Sequence, residues 1–321
     1  MHLPSQRPIL TVTLNPAVDV SGSVARVEAG PKLRLAGMRS DPGGGGLNAA
    51  RAVQRLGGTA TAFVALAGAM GAQLAWLMRA QGVPIEAFDG PGETRQSLTV
   101  AEGETGREFR FVLPGCDWPA ETAAAAIEAV AAATAAQAVV LLSGSQPPGV
   151  PDDFPTLLAR RLPTGTTLLV DTSGAPLDRL VDLPEADAPP AVLRMDDAEA
   201  AAIAGRPLSL ATDTADFAAA LVRRGAARSV VIARGADGSV LAGPDGRHHC
   251  IPPVVEVASK VGAGDSFAGG FALAIARGED TVAALRAGTA AAAAAVMTPG
   301  TELCRAEDAS RLAPLCRLVQ L

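Results

Sequence analysis

The chain of 321 residues contains no tyrosine, three histidines and four cysteines, and these scarcities exclude several kinds of active site. Without tyrosine, proton transfer must depend mainly on Asp, Glu, Lys or Cys. Two of the histidines, His248 and His249, adjoin Gly246 in a predicted turn. No arrangement in the sequence suggests a Ser-His-Asp or Cys-His enzyme. We therefore expect an aspartate or glutamate to serve as any catalytic base.

The cysteines are too scattered for a disulfide framework or a zinc site. They form no Cys-x-x-Cys pair, and metal or redox motifs normally need such close spacing. Buried or unreactive thiols are the better interpretation. The four residues are Cys116, Cys250, Cys304 and Cys316.

Strong charge and long apolar runs are also missing. The formal net charge is −6, from 27 basic and 33 acidic residues, and no basic block occurs. Nucleic acid is therefore not an expected partner. The most apolar uncharged tract, 287–297, is shorter than the roughly 20 residues that span a membrane. The first seven residues lack the apolar stretch of a secretory signal. We expect a cytoplasmic protein with no membrane partner.

What the chain does contain is an alternation of short β-branched runs with longer alanine-rich stretches. Such an alternation predicts right-handed βαβ units around a parallel sheet. Ligands bind such sheets at the carboxyl ends of the strands. The predicted strands include Ile9–Leu14, Thr61–Leu66, Ala138–Leu142, Thr167–Val170, Ala191–Leu193 and Val230–Ala233, and the predicted helices include Leu47–Leu56, Leu74–Ala80, Ala120–Ala135, Phe154–Arg161 and Thr214–Arg224.

Two segments, 20–41 and 94–113, do not follow this alternation of strands and helices. The second has period-two patterning on both sides of Glu104-Thr105-Gly106, which predicts a hairpin outside the main sheet. We interpret both segments as a small β lid on a single domain that spans residues 1–321. Small, polar and acidic residues follow the predicted strands, as in Ser143-Gly144-Ser145 and Asp171-Thr172-Ser173-Gly174. Loops are often polar, but together these residues suggest one long cleft.

The strongest local motif is Gly262-Ala263-Gly264-Asp265-Ser266, which precedes a helix-like run. Glycines let several N–H groups converge, and a helix start adds the positive end of its dipole, so the loop is suited to phosphate. Asp265 could accept a proton from a sugar hydroxyl, with a pKa that we expect the helix terminus to lower. For this pentapeptide alone, an ordinary helix cap is an equally good interpretation.

Two common nucleotide-binding motifs are missing. No Gly-x-x-x-x-Gly-Lys-[Ser/Thr] sequence occurs, and Leu47-Asn48 after Gly43-Gly44-Gly45-Gly46 breaks the dinucleotide fingerprint. Four glycines before a helix still let a ligand approach bare backbone. A flexible turn with Asn48 near the helix start explains the run equally well when it is taken alone.

In combination these motifs resemble those of the ribokinase-like, or PfkB, family of carbohydrate kinases. The loop 262–266 matches the family's C-terminal signature, and Gly57-Gly58 fits the N-terminal one. The four glycines favour the branch that acts on fructose 6-phosphate, because related branches usually carry a lysine there. The resemblance covers nearly the whole chain. It extends over 11–19, 42–48, 94–96, 109–115, 143–149 and 300–304.

The resemblance implies a three-layer α/β/α sandwich with a mostly parallel central sheet and a β lid that pairs two subunits as a homodimer. It implies ATP and Mg²⁺ as cofactors and a sugar phosphate as substrate. Asp265 would be the catalytic base, beside an anion hole formed by Gly262, Ala263 and Gly264. The other implied contacts are Asp19, Gly43, Gly44 and Asn48 for sugar hydroxyls, and Arg95, Ser145, Lys32 and Arg34 for the substrate's existing phosphate.

Three segments depart from the family pattern. The usual Lys-Pro-Asn-x-x-Glu segment is 194–199 here, with Arg194 for the lysine. Arg194 could still neutralise ATP phosphates, although its fork is wider than a lysine's point charge. Asp196 and Glu199 could organise water on Mg²⁺, which prefers oxygen ligands. Ser259-Lys260 puts the family's monovalent-cation site in doubt. Ala233-Arg234-Gly235 loses one hydroxyl contact to the nucleotide, although Gly235 remains.

Three hypotheses of function follow. The first is transfer of phosphate from ATP to C1 of fructose 6-phosphate, a step of glycolysis. The second keeps the chemistry but takes fructose 1-phosphate or tagatose 6-phosphate as the acceptor. The third is a catalytically silent sugar- or nucleotide-binding protein, since a fold does not fix a function. The intact Asp265 loop argues against the third hypothesis, whereas the altered segment 194–199 keeps it open.

Overall fold

The structure, a computed structural model, describes residues 6–185 and 187–321. Residues 1–5, most of the segment over which the sequence predicts no secretory signal, lie outside this range. The strands of the structure, in chain order, are β1 (Ile9–Thr13), β2 (Ala17–Val24), β3 (Ala36–Gly43), β4 (Thr61–Leu66), β5 (Ile85–Asp89), β6 (Arg95–Glu102), β7 (Glu108–Val112), β8 (Val139–Ser143), β9 (Thr167–Asp171), β10 (Val192–Met195), β11 (Ser229–Ala233), β12 (Ser239–Gly243), β13 (Gly246–Ile251) and β14 (Arg317–Gln320).

Ten of these strands form the main sheet, in the order β14-β13-β12-β11-β10-β9-β8-β1-β4-β5. The pairs from β11 to β5 are parallel, and the three pairs at the other edge are antiparallel. The predicted, mostly parallel central sheet is therefore confirmed. Because parallel strands end at the same edge, their following loops meet there.

Helices cover both faces of this sheet. In chain order they are α1 (Gly45–Arg55), α2 (Gly68–Ala80), α3 (Ala120–Ala133), α4 (Phe154–Arg161), α5 (Ala175–Asp182), α6 (Asp197–Ala204), α7 (Ala211–Arg224), α8 (Ala263–Ala276), α9 (Thr281–Val296) and α10 (Ala306–Leu312). None of the helices in the described ranges combines the length and apolar character that crossing a bilayer requires.

Two separate apolar cores explain the three layers. One core contains residues of α1, α2, α8, α9 and α10, and the other contains residues of α3 to α7. Along β8, Val139 and Leu141 pack into the first core, whereas Val140 and Leu142 pack into the second. Successive side chains of a strand point to opposite faces, so a strand buried on both faces must be apolar throughout. This requirement explains the continuous apolar run that marked this strand in the sequence.

The antiparallel edge, β12 to β14, was not among the predicted strands, and neither was β5 at the opposite edge. The expectation that His248 and His249 lie in a turn is wrong: both are on β13, and His249 is buried. Gly246 begins that strand at the end of a tight connection from β12. Cys250 on the same strand is buried, and all four cysteines are free thiols, as the sequence predicts.

A separate sheet of four strands has the order β3-β2-β6-β7. Its strands lie largely within the two segments, 20–41 and 94–113, that were assigned to a β lid. In this sheet β2 pairs parallel with β6, while β3 and β7 pair antiparallel at the edges. The first segment is longer than expected, because β2 begins at Ala17 and β3 ends at Gly43. The sheet thus leads directly into the glycine run.

A buried carboxylate holds the turns at one end of this second sheet. Glu102, at the end of β6, accepts hydrogen bonds from the Val27 backbone N–H at 2.8 Å and from Arg107 Nη2 at 2.9 Å. The Thr105 hydroxyl also donates to it. These hydrogen bonds, with that from Thr105 foremost, lower the pKa of Glu102 to about 2. The carboxylate joins the β2–β3 connection to the β6–β7 turn.

Close packing of α1 against α8 brings two distant segments together. A Cβ atom at Gly269 would lie 2.7 Å from the Ala49 carbonyl oxygen and 2.9 Å from the Ala52 Cβ atom. Real Cβ atoms do not approach this closely, so a glycine is required for the helices to touch here. This contact places the N-terminal turns of both helices beside each other at the carboxyl edge of the sheet.

Candidate active site

One cleft at the carboxyl edge of the main sheet collects seven of the sixteen predicted site residues. Its volume is about 310 Å³. Seven of the predicted residues line it, namely Gly44, Arg95, Ser145, Arg194, Asp196, Glu199 and Asp265. They come from loops that are far apart in the sequence, and the parallel sheet brings those loops to one edge.

Asp265 lies in the first turn of α8. Gly262 is the N-cap residue, with the left-handed φ of 76° that favours glycine, and no side chain caps the helix. The alternative interpretation of Asp265 as a helix cap is therefore wrong. Its Oδ2 atom accepts a hydrogen bond of 2.8 Å from Nδ2 of Asn48 on α1. The first N–H groups of α8, including those of Ala263 and Gly264, have no acceptor within the helix.

The pKa of Asp265 differs from the sequence expectation. We expected the helix terminus to lower it, but burial raises it to about 6. The hydrogen bond from Asn48 and the charges of Arg194 and Arg51 oppose this rise, whereas the carboxylate of Asp171 adds to it. Loss of solvation thus outweighs the helix terminus. A carboxylate with this pKa is a stronger base than an exposed aspartate but is still mostly ionised at neutral pH.

Each of the four glycines in the run 43–46 is required for its own steric reason. A Cβ atom at Gly43 would lie 2.2 Å from Oδ2 of Asp19, and Gly44 has a φ of 123° that side chains rarely adopt. At Gly45 a Cβ atom would meet the Ser143 hydroxyl and backbone, and at Gly46 it would lie 2.7 Å from a backbone carbonyl oxygen of β1. The run is therefore tightly packed, and its interpretation as a flexible turn is wrong.

Asp19 on β2 lies beside this run and close to charged residues of the second sheet. Burial raises its pKa, while Arg95, a hydrogen bond with Ser97 and Arg110 oppose that rise. Its carboxylate fills the space that a side chain at position 43 would take. The Asp19 carboxylate can therefore take this position, just before α1, only because residue 43 is a glycine.

Arg95, Asn15 and Ser145 form a hydrogen-bonded group. Arg95 donates from Nε and Nη2 to the Asn15 carbonyl oxygen at 3.3 and 3.2 Å, and from Nη1 to the Leu113 carbonyl oxygen at 3.3 Å. The Asn15 side chain donates to the Ser145 hydroxyl at 3.2 Å. These neutral acceptors orient the guanidinium group without cancelling its charge, so the group can bind an anion. No pattern in the sequence had indicated Asn15 for this role.

Arg194, at the end of β10, is packed against the start of α8. Its Nη1 atom is 2.8 Å from Oδ1 of Asp171, and its guanidinium carbon is 5.5 Å from the ring centroid of Phe267. A Cβ atom at Gly264 would lie 3.1 Å from Nη2. Burial favours the neutral form of Arg194, but the carboxylates of Asp171, Asp265 and Glu199 outweigh it and raise the pKa. Arg194 therefore stays charged beside the first turn of α8.

Asp171 is the main residue of the cleft that the sequence analysis did not assign. It stands at the end of β9, and besides Arg194 it accepts a hydrogen bond of 3.5 Å from the Ser143 hydroxyl. Its position at a strand end was the available signal, but many strand-end residues share it. Thr172 and Ser173 line the cleft beside it.

Asp196 and Glu199 cap α6 reciprocally. Oδ1 of Asp196 accepts from the Glu199 backbone N–H, and Oε2 of Glu199 accepts from the Asp196 backbone N–H, both at 2.8 Å. Burial raises the pKa of Glu199. The capping hydrogen bond opposes this rise, and the charges of Asp196 and Asp171 add to it. Among residues 6–185 and 187–321 no group of three metal-ligating side chains is assembled. The carboxylate oxygens fit a Mg²⁺ ion held mainly by substrate phosphates and water, not a protein cage.

Three predicted residues lie away from this cleft. Lys32 and Arg34 are exposed in the connection between β2 and β3. Gly235 follows β11 in a 3₁₀ turn with a φ of 57°. The neighbouring Arg234 donates to the carbonyl oxygens of Leu208 and Ser209 at 2.9 Å, so it anchors the segment before α7.

The sequence over residues 13–308 matches the family model described as pfkB family carbohydrate kinase. The chain belongs to the PfkB family of carbohydrate kinases. Family membership confirms the predicted resemblance and the predicted class of enzyme, an ATP-dependent phosphotransferase.

The similar proteins include two named ATP-dependent 6-phosphofructokinase isozyme 2. The protein from Mycobacterium tuberculosis is 35% identical over 306 residues, covering 94% of this chain and 88% of its own length. The protein from Escherichia coli is 32% identical over 305 residues, covering 95% and 97%. A 1-phosphofructokinase from Xanthomonas campestris is 32% identical over 267 residues, covering 83% of both chains.

Solved structures support the same assignment and the fold. The phosphofructokinase-2 from E. coli in complex with potassium has a TM-score of 0.89 at 31% identity, covering 96% of this chain and 99% of that one. Ribokinase from Arabidopsis thaliana has a TM-score of 0.74 at 18% identity, covering 96% and 99%. The likeness to the second shows the fold alone and confirms the predicted ribokinase-like sandwich.

The raised pKa of Asp265 predicts a specific pH dependence of stability. Folding costs the ionised Asp265 solvation, so its contribution to the free energy of unfolding falls as pH rises from about 4 to 6. The Asp265→Asn variant lacks this cost. Relative to the parent, it should gain up to about 3 kcal/mol over that range, at about 1.4 kcal/mol per pKa unit.

Urea denaturation at several pH values between 4 and 8 measures this difference. Asp178→Asn, at an exposed aspartate in the first turn of α5, controls for the substitution itself. If the two variants show the same pH dependence relative to the parent, then Asp265 is not desolvated as described.

Proposed function

We propose that this PfkB kinase transfers the γ-phosphoryl group of ATP to the C1 hydroxyl of fructose 6-phosphate, giving ADP and fructose 1,6-bisphosphate. The observation that carries the proposal is the oriented, desolvated Asp265 in a cleft that also holds the Arg95–Asn15–Ser145 group. One part suits a sugar hydroxyl and the other an existing phosphate. The names of the two relatives with 35% and 32% identity agree with this substrate.

Asp265 is the proposed catalytic base. It accepts the proton of the C1 hydroxyl as the hydroxyl oxygen bonds to the γ-phosphorus atom, and the bond from that phosphorus to the ADP oxygen breaks. Phosphoryl transfer has a loose transition state, so positioning and charge stabilisation contribute more than base strength. A base with a pKa of about 6 is ionised at neutral pH and can take this proton without a histidine.

The proposed anion hole consists of the backbone N–H groups of Gly262, Ala263 and Gly264 with the Arg194 guanidinium group beside them. A helix N-terminus attracts the negative charge that develops on the phosphoryl oxygens. Arg194 adds a charged guanidinium group at this point, which its ion pair with Asp171 holds in place. Gly235 is the proposed contact to the rest of the nucleotide.

Asp19, Gly43, Gly44 and Asn48 are the proposed contacts to the sugar hydroxyls. The Arg95–Asn15–Ser145 group is the proposed site for the 6-phosphate. Because Lys32 and Arg34 lie outside the cleft, their proposed contact with this phosphate requires movement of the β2–β3 connection or a second subunit. That requirement separates them from Arg95, which already lines the cleft.

Mg²⁺ is proposed as the metal, with Asp196 and Glu199 acting on its waters. The ion neutralises phosphate charge when it is bound. Each capping carboxylate uses one oxygen atom for α6, which leaves the other oxygen to accept from a metal-bound water. Burial is the main cause of the raised pKa of Glu199, and the negative charges of Asp196 and Asp171, which a divalent cation would relieve, add to it.

A second acceptor has support from one observation. The similar 1-phosphofructokinase from X. campestris shares nearly the identity level of the two 6-phosphofructokinases. Fructose 1-phosphate, with tagatose 6-phosphate as a related possibility, is therefore the alternative substrate. The chemistry at Asp265 would be the same for each.

A homodimer through the second sheet is the proposed assembly. Large apolar side chains are exposed on or beside this sheet, where a second copy could cover them. Those with the largest exposure are Met38 at 51%, Phe111 at 55%, Val112 at 64% and Leu113 at 53%. Apolar patches of this kind often mark protein interfaces. The location in the cytoplasm also stays a prediction.

ADP release measured against a panel of free and phosphorylated sugars tests the proposed function. We expect fructose 6-phosphate to give the largest kcat/KM and Asp265→Asn to lower its kcat by ~10² or more, the scale of a lost positioned base. A preference for fructose 1-phosphate would favour the alternative. Turnover of Asp265→Asn near that of the parent would remove Asp265 from the mechanism.

Arg95→Ala should lower kcat/KM for fructose 6-phosphate by ~30- to 150-fold, which corresponds to about 2–3 kcal/mol for a charge-assisted contact. The kcat/KM for free fructose should change little, because that sugar has no phosphate to bind. Arg39→Ala, at an exposed arginine on β3 of the same sheet, is the control. Equal losses on both sugars would instead indicate general damage to the second sheet.

Glu199→Gln should raise the Mg²⁺ concentration for half-maximal rate while leaving the affinity for sugar nearly unchanged. Glutamine can still serve the capping box, so the substitution removes the charge and preserves α6. The rate is measured as a function of Mg²⁺ at constant ATP. A curve that overlays that of the parent would contradict the assignment of Glu199 to the metal.

A further inference from the structure

Arg51 on α1 is a buried arginine that the proposed mechanism does not use. Its exposure is 4%, and it stands one helical turn after Asn48. Its Nη1 atom donates to Oδ1 of Asn48 at 2.8 Å and to the Pro42 carbonyl oxygen at 3.4 Å. Its Nε atom donates to Oε1 of Gln81 at 2.6 Å.

All three acceptors of Arg51 are neutral. Within residues 6–185 and 187–321, no carboxylate lies within 4.0 Å of the Arg51 guanidinium group, whereas Arg107 and Arg194 each form such an ion pair. Burial lowers its pKa to about 10, and the neighbouring charge of Arg55 adds to this effect. The side chain is still charged at neutral pH. An unpaired buried charge is expensive, so its position requires an explanation beyond stability.

Arg51 and the carboxylate of Asp265 together decide which way the Asn48 amide points. A guanidinium group has only donors, so the atom of Asn48 that faces it must be the carbonyl oxygen. The NH₂ group must then face Asp265, to which it donates at 2.8 Å. An ionised Asp265 favours the same orientation, but a protonated Asp265 could also donate to the amide oxygen, so the contact with Arg51 keeps the amide from turning over in either state.

We propose that Arg51 is a positioning residue for phosphoryl transfer, which locks the Asn48 amide so that it holds one oxygen of Asp265 and leaves the other for the sugar hydroxyl. The same side chain ties α1 to the Pro42 carbonyl at the entrance to the glycine run. Arg51 thus fixes both the proposed base, through Asn48, and the entrance to the glycine run. The inference rests on the proposed function for its kinetic consequences only.

Several charges act on Asp265, and Arg51 is one of them. Asp171 on β9 raises the pKa of Asp265, and Arg194 on β10 and Arg51 on α1 lower it. Replacing Arg51 by a neutral residue removes a charge that favours the ionised carboxylate. The pKa of Asp265 must then rise, and the acid limb of the kcat/KM profile must move to higher pH.

The test compares Arg51→Met with Arg55→Met, which removes the same charge from an exposed position one turn further along α1. For fructose 6-phosphate, Arg51→Met should lower kcat by roughly 10- to 100-fold, the scale of a misplaced catalytic group. Its acid limb should move up by roughly half a pH unit, since Arg51 does not touch Asp265 directly. The KM for ATP should stay within a factor of about three, and Arg55→Met should match the parent.

A double-mutant cycle distinguishes a loss of kcat that acts through Asn48 from a general loss of activity. In the Asn48→Leu background, Arg51→Met should have little further effect on kcat, because coupled residues are not additive. Full additivity would contradict the proposal. So would a kcat loss in Arg51→Met without any movement of the acid limb, which indicates a merely structural role.

If Arg51→Met does not fold, Arg51→Lys replaces it in the kinetic test. Lysine keeps the charge but loses the fork, so kcat should fall while the acid limb stays in place. An unchanged kcat would contradict the positioning role.

A measurement of stability, which does not depend on catalysis, tests this inference separately from the proposed function. The stability difference between Asp265→Asn and its parent, followed against pH, reports the titration of Asp265. That titration should move to higher pH in the Arg51→Met background, or in Arg51→Gln if methionine is not tolerated. An unmoved titration overturns the inference. A parent enzyme inactive on every phosphorylated sugar overturns the proposed function alone.

Discussion

The hydrogen bond between Asn48 and Asp265 is the contact on which the rest of the site depends, because it joins residues 217 positions apart. It can form only where α1 and α8 begin side by side at the carboxyl edge of the sheet. The missing side chain of Gly269 lets the helices approach, and Arg51 fixes the amide from behind. Packing, hydrogen bonding and chemistry therefore share one constraint, the distance between two helix starts.

Burial has opposite consequences for the charged residues of the cleft. It raises the pKa of Asp265 to about 6, a value that suits the proposed role of this residue as a base at neutral pH. Arg194 stays charged in the same environment because Asp171 is 2.8 Å away. The difference lies in the partners: Asp265 has a neutral donor, whereas Arg194 has a carboxylate. The site thus keeps a proton acceptor and a fixed positive charge beside each other.

Much of the fold was predictable because the parallel strands are buried on both faces and must be continuously apolar. The strand predicted at Thr61–Leu66 has those bounds in the structure, and the helix predicted at Phe154–Arg161 is also confirmed. The antiparallel edge was missed. The histidines of its strand β13 adjoin Gly246, which suggested a turn, and only pairing with β12 and β14 makes the segment a strand.

The sequence by itself determined the family, the kinase chemistry and the candidate base, because the glycine loops and Asp265 are local patterns that backbone and phosphate geometry require. Tertiary structure decided what no local pattern encodes. Desolvation reversed the expected direction of the Asp265 pKa, and convergence of strand ends added Asp171 and Asn15 to the cleft. Folding also left Lys32 and Arg34 outside it. Solvation and distance depend on every neighbour in space, and those neighbours come from segments far apart in the chain.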